Sequence, residues 1–371
     1  MNIVIVIDLI DALTNGSVVT ARRFCDGLRA RGHNVKIVAV GADGKDDCAV
    51  QEKHLPILSK VSAKSQVKFA KFEREKIKSA FTGANIVHFI FPFRFEKKCK
   101  ALADEMGIPT TAAFHVQPEN ISYNAHMGKS RVFNNLIYMY LRRFYRRFNR
   151  IHCPSNFIAS KLREHGYGGK LYVISNGYDR EFKPAQITRN HDKFEIVMVG
   201  RLAPEKNQKV LISAIAKSKH KDGIHLTLCG NGACKSRLEK RAQRQGVDIS
   251  FGFLPKPKLI EKLQQSDLYV HSATVEIEAI ACIEAIACGL VPVIANSRLS
   301  ATPQFALDER SLFKDNDSDS LARKIDYWIE NRAERIKMGK VYAEFALRYC
   351  LDKSLEQAEE MFTDEIESIK A

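Results

Sequence analysis

Two glutamates and two basic residues are placed where they could handle a charged, hydroxylated ligand. Glu276 and Glu284 interrupt the apolar stretch "VEIEAIACIEAIACGLVPVIAN" (275–296). A carboxylate left unpaired inside a core costs several kcal/mol, roughly, so each needs water or a dedicated partner. The pattern reads as a loop, a helix from about Ala279 to just before Gly289, and a strand, with Gly289 suited to close the helix. The free amides and dipole at such a helix start suit an anion. A carboxylate can accept from two adjacent hydroxyls, as on a ribose or a hexose. A second segment, "VGRLAPEKNQ" (199–208), puts Arg201 and Lys206 at the end of a strand. Two fixed cations there suit a diphosphate leaving group, whose charge grows as its bond breaks. Together the residues describe a site for a sugar nucleotide. Each glutamate alone would more simply be solvated or salt-bridged.

The elements that must hold these residues alternate along the chain. Strand-like runs at 2–8, 35–40, 84–91, 110–116, 151–155 and 171–175 are separated by helical patterns, one of them near 95–106. After the turn-rich "NGYDREFKPA" (176–185) the series restarts at 195–200, 224–230, 267–273 and 290–296, with helices after Lys206 and over 234–245. Continuous Val/Ile-rich strands between helices imply parallel sheets covered on both faces. Two such blocks in 371 residues imply an α/β protein of two doubly wound domains, with ligand at the carboxyl edges of the strands.

Composition narrows the class. With 45% hydrophobic and 27% charged residues the chain reads as soluble and globular, and no apolar run is long enough to span a bilayer. "MNIVIVIDLIDAL" lacks a basic leader and reads as a first strand. Nine cysteines without zinc or disulfide spacing read as reduced thiols in a cytoplasmic protein. No metal site is expected. The alternating aspartates of "KDNDSDS" (314–320) lack the glycine and distal glutamate of a calcium loop, and read as a solvated turn.

In order and spacing, these pieces resemble the family 4 glycosyltransferases. The matching residues are G-R-L-x-P-E-K at 200–206, the Glu276 to Glu284 motif, "EAIACGLVPVI" after it, "VISNGYD" (173–179) and "GLRARGHNV" (27–35). The likeness covers nearly the whole chain. It implies two facing Rossmann-like domains of GT-B type with a cleft between them: an acceptor-binding domain over 1–176, a nucleotide-sugar-binding domain over 177–345, and a C-terminal helix in 346–371 crossing back. It implies that Arg201 and Lys206 bind the donor diphosphate, that Glu284 holds the ribose, and that Glu276 contacts the transferred sugar. It also implies places near the donor for Gly16, where the family has a Gly-Gly pair and this chain has Gly16-Ser17, and for His115 beside the sugar. Phe253 and Leu254 fall in the segment around the base, and Ala279 and Ile280 lie between the two glutamates. Ala279 departs from the glycine usual there. The implied reaction is metal-independent hexosyl transfer with retention, needing no cofactor beyond the nucleotide sugar, UDP-glucose or similar.

Charge points to the acceptor. Residues 1–180 hold 29 Lys and Arg against 15 Asp and Glu, while residues 181–371 hold 29 against 28. Between Glu119 and Glu164 there is no acidic residue. The stretch "NNLIYMYLRRFYRRFNRIH" predicts a helix with Arg142, Arg146 and Arg150 on one stripe, Arg143 and Arg147 beside it, and Ile137, Leu141, Phe144, Tyr145 and Phe148 around it. A second basic helix is predicted over 64–81. Each arginine near anionic lipid contributes about 1 kcal/mol, so the expectation is a protein held at the inner face of the plasma membrane, acting on a glycolipid or diacylglycerol. The alternatives are a polysaccharide lipid carrier or a soluble glycan as acceptor, or a non-catalytic, sugar-nucleotide-binding partner subunit. A nucleic-acid partner is not expected, because no recognition module is visible.

Overall fold

The computed structural model describes residues 1–10, 16–53, 69–124, 127, 130–185 and 192–370. They form two compact units. The first comprises residues 1–118, 131–177 and 351–371, and the second comprises 119–130 and 178–350.

The first unit is built on a seven-stranded parallel sheet. Its strands are β1 (Asn2–Leu9), β2 (Asn34–Val40), β3 (Cys48–Ala49), β4 (Ile86–Phe89), β5 (Thr110–Ala113), β6 (Arg150–Cys153) and β7 (Lys170–Val173), in the order β3-β2-β1-β4-β5-β6-β7. Every β1 residue after Asn2 is buried. Both faces of the strand are covered, so its apolar run is continuous rather than alternating. The helix Gly16–Ala30 buries Val18, Ala21, Phe24, Cys25 and Leu28 at helical spacing. Against it lies the helix Leu351–Lys370. Gly27 permits that approach, since a Cβ there would stand 2.5 Å from Leu355 Cδ1. Charges fix the register: Arg31 donates twice to Glu359 at 2.8 Å, His33 Nε2 lies 2.7 Å from the same carboxylate, and Arg150 pairs with Glu365.

The second unit repeats the winding with β8 (Phe194–Val199), β9 (Ile224–Cys229), β10 (Ile249–Gly252), β11 (Leu268–His271), β12 (Val275–Glu276), β13 (Val291–Asn296), β14 (Leu299–Ser300) and β15 (Leu312–Lys314). The parallel sheet runs β10-β9-β8-β11-β13-β15, and β12 pairs with β14 apart from it. Trp328, Tyr269, Tyr342, Phe305 and Phe313 fill its core. In each unit the strand order reverses once, between β1 and β4 and between β8 and β11. That switch marks the ligand-binding edge of a Rossmann-like sheet. All nine cysteines are free thiols, seven of them buried.

Two expectations about basic helices change. The helix carrying the arginines runs Arg131–Tyr145 and stops there. Arg146 and Arg147 lie in the turn after it, and Arg150 opens β6, paired in register with Lys170. The arginine stripe is therefore not one helical face. The cause is tertiary: the chain must turn to enter the sheet, and Leu141, Phe144, Tyr145 and Phe148 are buried in the core rather than exposed around the arginines. Among the described residues of the second segment, only Arg74–Phe81 are helical. Ala70 instead bridges to Glu52, and residues 64–68 lie outside the described residues.

Candidate functional site

The loop after β8 is shaped by its neighbour after β9. Gly230 has φ +156, and a Cβ there would stand 2.1 Å from the carbonyl oxygen of Gly200. Only glycine lets the two loops pack this closely. The Leu202 amide then donates to the Asn231 carbonyl at 2.8 Å. Arg201, largely exposed, emerges between them and donates to Glu205 Oε1 at 2.6 Å, while the Glu205 carboxylate is buried. A short 3₁₀ turn, Pro204–Lys206, ends at Asn207 in the left-handed conformation.

This turn is bound to the loop after β11. The Thr274 amide donates to the Glu205 carbonyl at 2.9 Å, and Ser272 Oγ donates to the Lys206 carbonyl at 3.0 Å. Asn207 Nδ2 donates to Asn316 Oδ1 at 2.8 Å, and Thr274 Oγ1 donates to Asp315 Oδ1 at 3.2 Å. The aspartate-rich segment is thus no simple solvated turn. Its first part braces the lysine loop, and Asp317 caps the helix Ser318–Glu330.

Lys206 Nζ forms an ion pair with Glu276. The same carboxylate oxygen lies 3.2 Å from His271 Nε2, and His271 Nδ1 lies 3.0 Å from Tyr269 Oη. A carboxylate only accepts, so Nε2 carries the imidazole proton and Nδ1 accepts from the tyrosine. Burial holds His271 below its usual pKa, although Glu276 opposes this. For Glu276, burial alone would raise the pKa. The charge of Lys206 and the hydrogen bond from His271 override it and bring it to about 2. At neutral pH the group is therefore a buried carboxylate between a lysine and a neutral histidine. His271, Glu205 and Asn207 were not singled out in the sequence. The only local sign was polarity at strand ends.

Ala279 adopts φ +69, ψ +65 at the start of the helix Ile280–Ala287. That is a left-handed conformation, which costs a residue with a Cβ about 1–2 kcal/mol relative to glycine. Ile280 follows, half-buried. Glu284, also buried, sits within that helix, and its charge together with that of Glu276 contributes to the raised pKa of buried Tyr269, after burial itself and Cys282. Arg201, Lys206 and Glu276 thus lie just beyond the carboxyl ends of β8 and β11, the switch point of the second unit, and Glu284 lies one turn inside the helix that follows. Phe253, after β10, is 54% exposed, whereas Leu254 packs against the core. Among the described residues no group of three or more His, Cys, Asp or Glu could hold a metal ion.

In the first unit, Gly16 opens the helix after β1, exposed and with open space where a side chain would be. His115, just beyond β5, is buried beside His152, with ring centroids 5.3 Å apart, and His152 stacks on His88 at 6.0 Å. Thr20, Phe24, His88, His115, His152 and Phe362 line one small cavity. Burial lowers all three imidazoles: His88 well below its usual range, His115 to about 3 and His152 to about 4. Of the five arginines, Arg142 donates to the His165 carbonyl at 3.2 Å, Arg147 donates to Asp104 at 2.6 Å, and Arg150 pairs with the buried Glu365. Arg143 and Arg146 are exposed.

Comparison with known proteins follows the same division. A family described as Glycosyltransferase Family 4 matches residues 14–182, and Glycosyl transferases group 1 matches residues 179–344. A curated relative, the phosphatidylinositol N-acetylglucosaminyltransferase GPI3 subunit from Saccharomyces cerevisiae, is 26% identical over 205 residues. That alignment spans 50% of this chain and 44% of the relative, so the chain covers less than half of that protein. Among solved structures, the Anabaena protein HepE in complex with UDP and glucose superposes with a TM-score of 0.73 at 17% identity, over 98% of this chain and all of that one. The catalytic domain of cholesterol-alpha-glucosyltransferase from Helicobacter pylori is 55% identical over 42% of this chain and 98% of its own, with a TM-score of 0.41.

Proposed function

The chain belongs to the group 1/family 4 glycosyltransferases, and on that premise we propose that it transfers a hexosyl unit from a nucleotide sugar to a lipid acceptor at an anionic membrane surface, with retention. The observation that carries the donor half is the Lys206–Glu276 pair at the β8/β11 switch, with Arg201 and Glu284 beside the same sheet edge. In this reading Arg201 and Lys206 compensate the diphosphate charge as the anomeric bond breaks. Glu276, ionised and held by His271, accepts from hydroxyls of the transferred sugar, and Glu284 accepts from the ribose. His115 contributes a neutral imidazole on the acceptor side. Because two side-chain cations supply the positive charge, the reaction is expected to proceed without a metal ion. UDP-glucose is the first donor to try, since HepE holds UDP and glucose in the same fold.

The lipid acceptor rests on two supports. One is the excess of basic residues in the first 180. The other is the yeast relative, whose name specifies a phosphatidylinositol acceptor. No described helix is long and apolar enough to cross a membrane, so attachment at the inner face of the plasma membrane would be peripheral. The test is incubation with UDP-glucose and lipid vesicles in EDTA-treated buffer, following UDP release, the mass of the lipid product and the anomeric configuration by NMR. A glycosylated lipid of unchanged configuration is expected. No nucleotide release from UDP-glucose or any other common sugar nucleotide would overturn the reading, and activity restored only by added magnesium would overturn its metal-free part.

A further inference from the structure

The helix Arg131–Tyr145 has an inner face and an outer one. Asn134, Tyr138, Leu141, Phe144 and Tyr145 are buried. The positions turned outward are 131, 132, 135, 136, 139, 140 and 143. Four of these are large and apolar: Val132 is 72% exposed, Leu136 52%, Met139 58% and Tyr140 57%. A surface helix of a soluble protein normally carries charge there. Here the four apolar residues span about 12 Å along the helix axis, with Asn135 beside them and Arg131 and Arg143 exposed at the two ends. Lys97 donates to Tyr140 Oη at 3.1 Å and lies 4.3 Å from that ring's centroid, so an amine and a phenol mark its edge. The nearby Asp104 is already paired with both Lys100 and Arg147. The chain from 120 to 163 adds no acid of its own.

We propose that this ridge is the membrane-contacting face, and that Val132, Leu136, Met139 and Tyr140 enter the acyl boundary of an anionic bilayer while Arg131, Arg143 and Lys97 meet its phosphates. The inference rests on the lipid-acceptor reading above and deepens it, because it moves the contact from the arginine stripe to the helix's apolar outer face. Apolar side chains rimmed by cations are the composition of an interfacial helix, and Tyr and Lys are suited to the headgroup layer. A second copy of this chain is the competing occupant. The ridge offers on the order of 400 Å², about half of the ~800 Å² each partner gives to a stable dimer, and its basic rim would face itself.

The probe is flotation with vesicles of phosphatidylcholine containing about a third phosphatidylglycerol. Wild-type protein should float, and part of that binding should survive 1 M salt, where the Debye length is about 3 Å, because insertion of apolar groups is not screened. A Leu136→Ser/Met139→Ser variant with unchanged circular dichroism and unfolding midpoint should partition at least about tenfold less. In a separate Tyr140→Trp reporter, emission should shift to the blue on vesicles and be quenched by brominated acyl chains. Unchanged partitioning of the double variant, complete release of wild type by salt, or an unquenched reporter would overturn the proposal. So would a wild-type dimer in sedimentation velocity that the double variant converts to monomer, which would assign the ridge to a second copy. Nucleotide release from UDP-glucose or another common sugar nucleotide by wild-type protein, measured with the same vesicles, reads the transferase assignment separately. Flotation through the ridge with no such release would uphold the docking face and sink only the transferase.

Discussion

The two sheets reverse their strand order at equivalent places, β1/β4 and β8/β11, yet they arm those places with opposite chemistry. At the second unit's switch stands an ionised carboxylate between a lysine and a histidine, with an arginine alongside. At the first, among the described residues, stand three imidazoles held neutral by burial, His88, His115 and His152. A carboxyl pair, Asp8 on β1 and Glu96, stands there too, and burial raises both, Glu96 well above its usual pKa with the charge of Asp8 adding to it. The same backbone thus presents ion pairs at one edge and neutral imidazoles beside buried carboxyls at the other. A shared fold specifies where a ligand sits, and the side chains at the strand ends decide what kind it is.

The comparison is broken most forcefully by discharging the charged edge. Arg201→Ala or Lys206→Ala should each lower kcat for transfer by about 10²–10³, or 2.7–4 kcal/mol in the barrier, measured as UDP release at saturating donor. Turnover within threefold of wild type in the double variant would remove the diphosphate role.

Acid should act on the other edge. Each buried histidine has a folded pKa below its unfolded value, so the unfolded chain binds more protons. Stability is therefore full above about pH 6.5 and is lost as pH falls towards the folded values of about 3 and 4 for His115 and His152. Glu96 works in the opposite sense, since its raised pKa keeps a proton that the unfolded chain releases above the ordinary carboxylate range. Asp8 is raised as well, so the carboxyl pair offsets part of the proton uptake of the three histidines, and the first unit should lose stability as pH falls below about 6.5. Glu276, at about 2, stays ionised throughout that range. Hydrogen exchange, read peptide by peptide, should show protection falling in β4, β5 and β6 before β8. Equal loss in both sheets would contradict the contrast.

Glu284→Ala should weaken donor binding by about 1.5–3 kcal/mol, as expected for hydrogen bonds to a charged acceptor, with a smaller change in kcat. Calorimetry with UDP would show it, and unaltered affinity would exclude the ribose role. The smallest effect is expected at Ala279, whose φ of +69 favours glycine. Ala279→Gly should stabilise the second unit by about 1 kcal/mol or less, strain relief being partly offset by the freer unfolded chain. A lowered unfolding midpoint would show that the methyl group packs usefully.

Much of this was legible beforehand where the signal was local. The strands predicted at 195–200 and 224–230 appear at Phe194–Val199 and Ile224–Cys229, and the helix predicted from Ala279 runs Ile280–Ala287, because apolar runs bounded by Gly and polar residues state their own period. Short strands such as β3, β12 and β14, of two residues each, carry no period to read. The candidate site was half visible. Arg201, Lys206, Glu276 and Glu284 follow from strand ends and spacing, whereas Glu205, His271 and the Asn207–Asn316 bond depend on neighbours that the fold supplies. The arginine stripe failed for the same reason. Glu365 and Asp104 decide where Arg150 and Arg147 point, and neither lies in the segment whose periodicity was read.

The contact of Gly27 with Leu355 also bears on the order in which the protein can be made. The first unit is closed by a helix that follows the whole of the second in the chain, and Arg31, His33 and Arg150 find their carboxylates only there. On the ribosome, residues 1–177 would emerge with their apolar bed for Leu355, Ala358, Met361 and Phe362 uncovered. The second unit, nearly continuous in sequence, can complete its sheet while the first still waits. Synthesis runs from the first residue to the last, but the first unit to begin is the last to be finished.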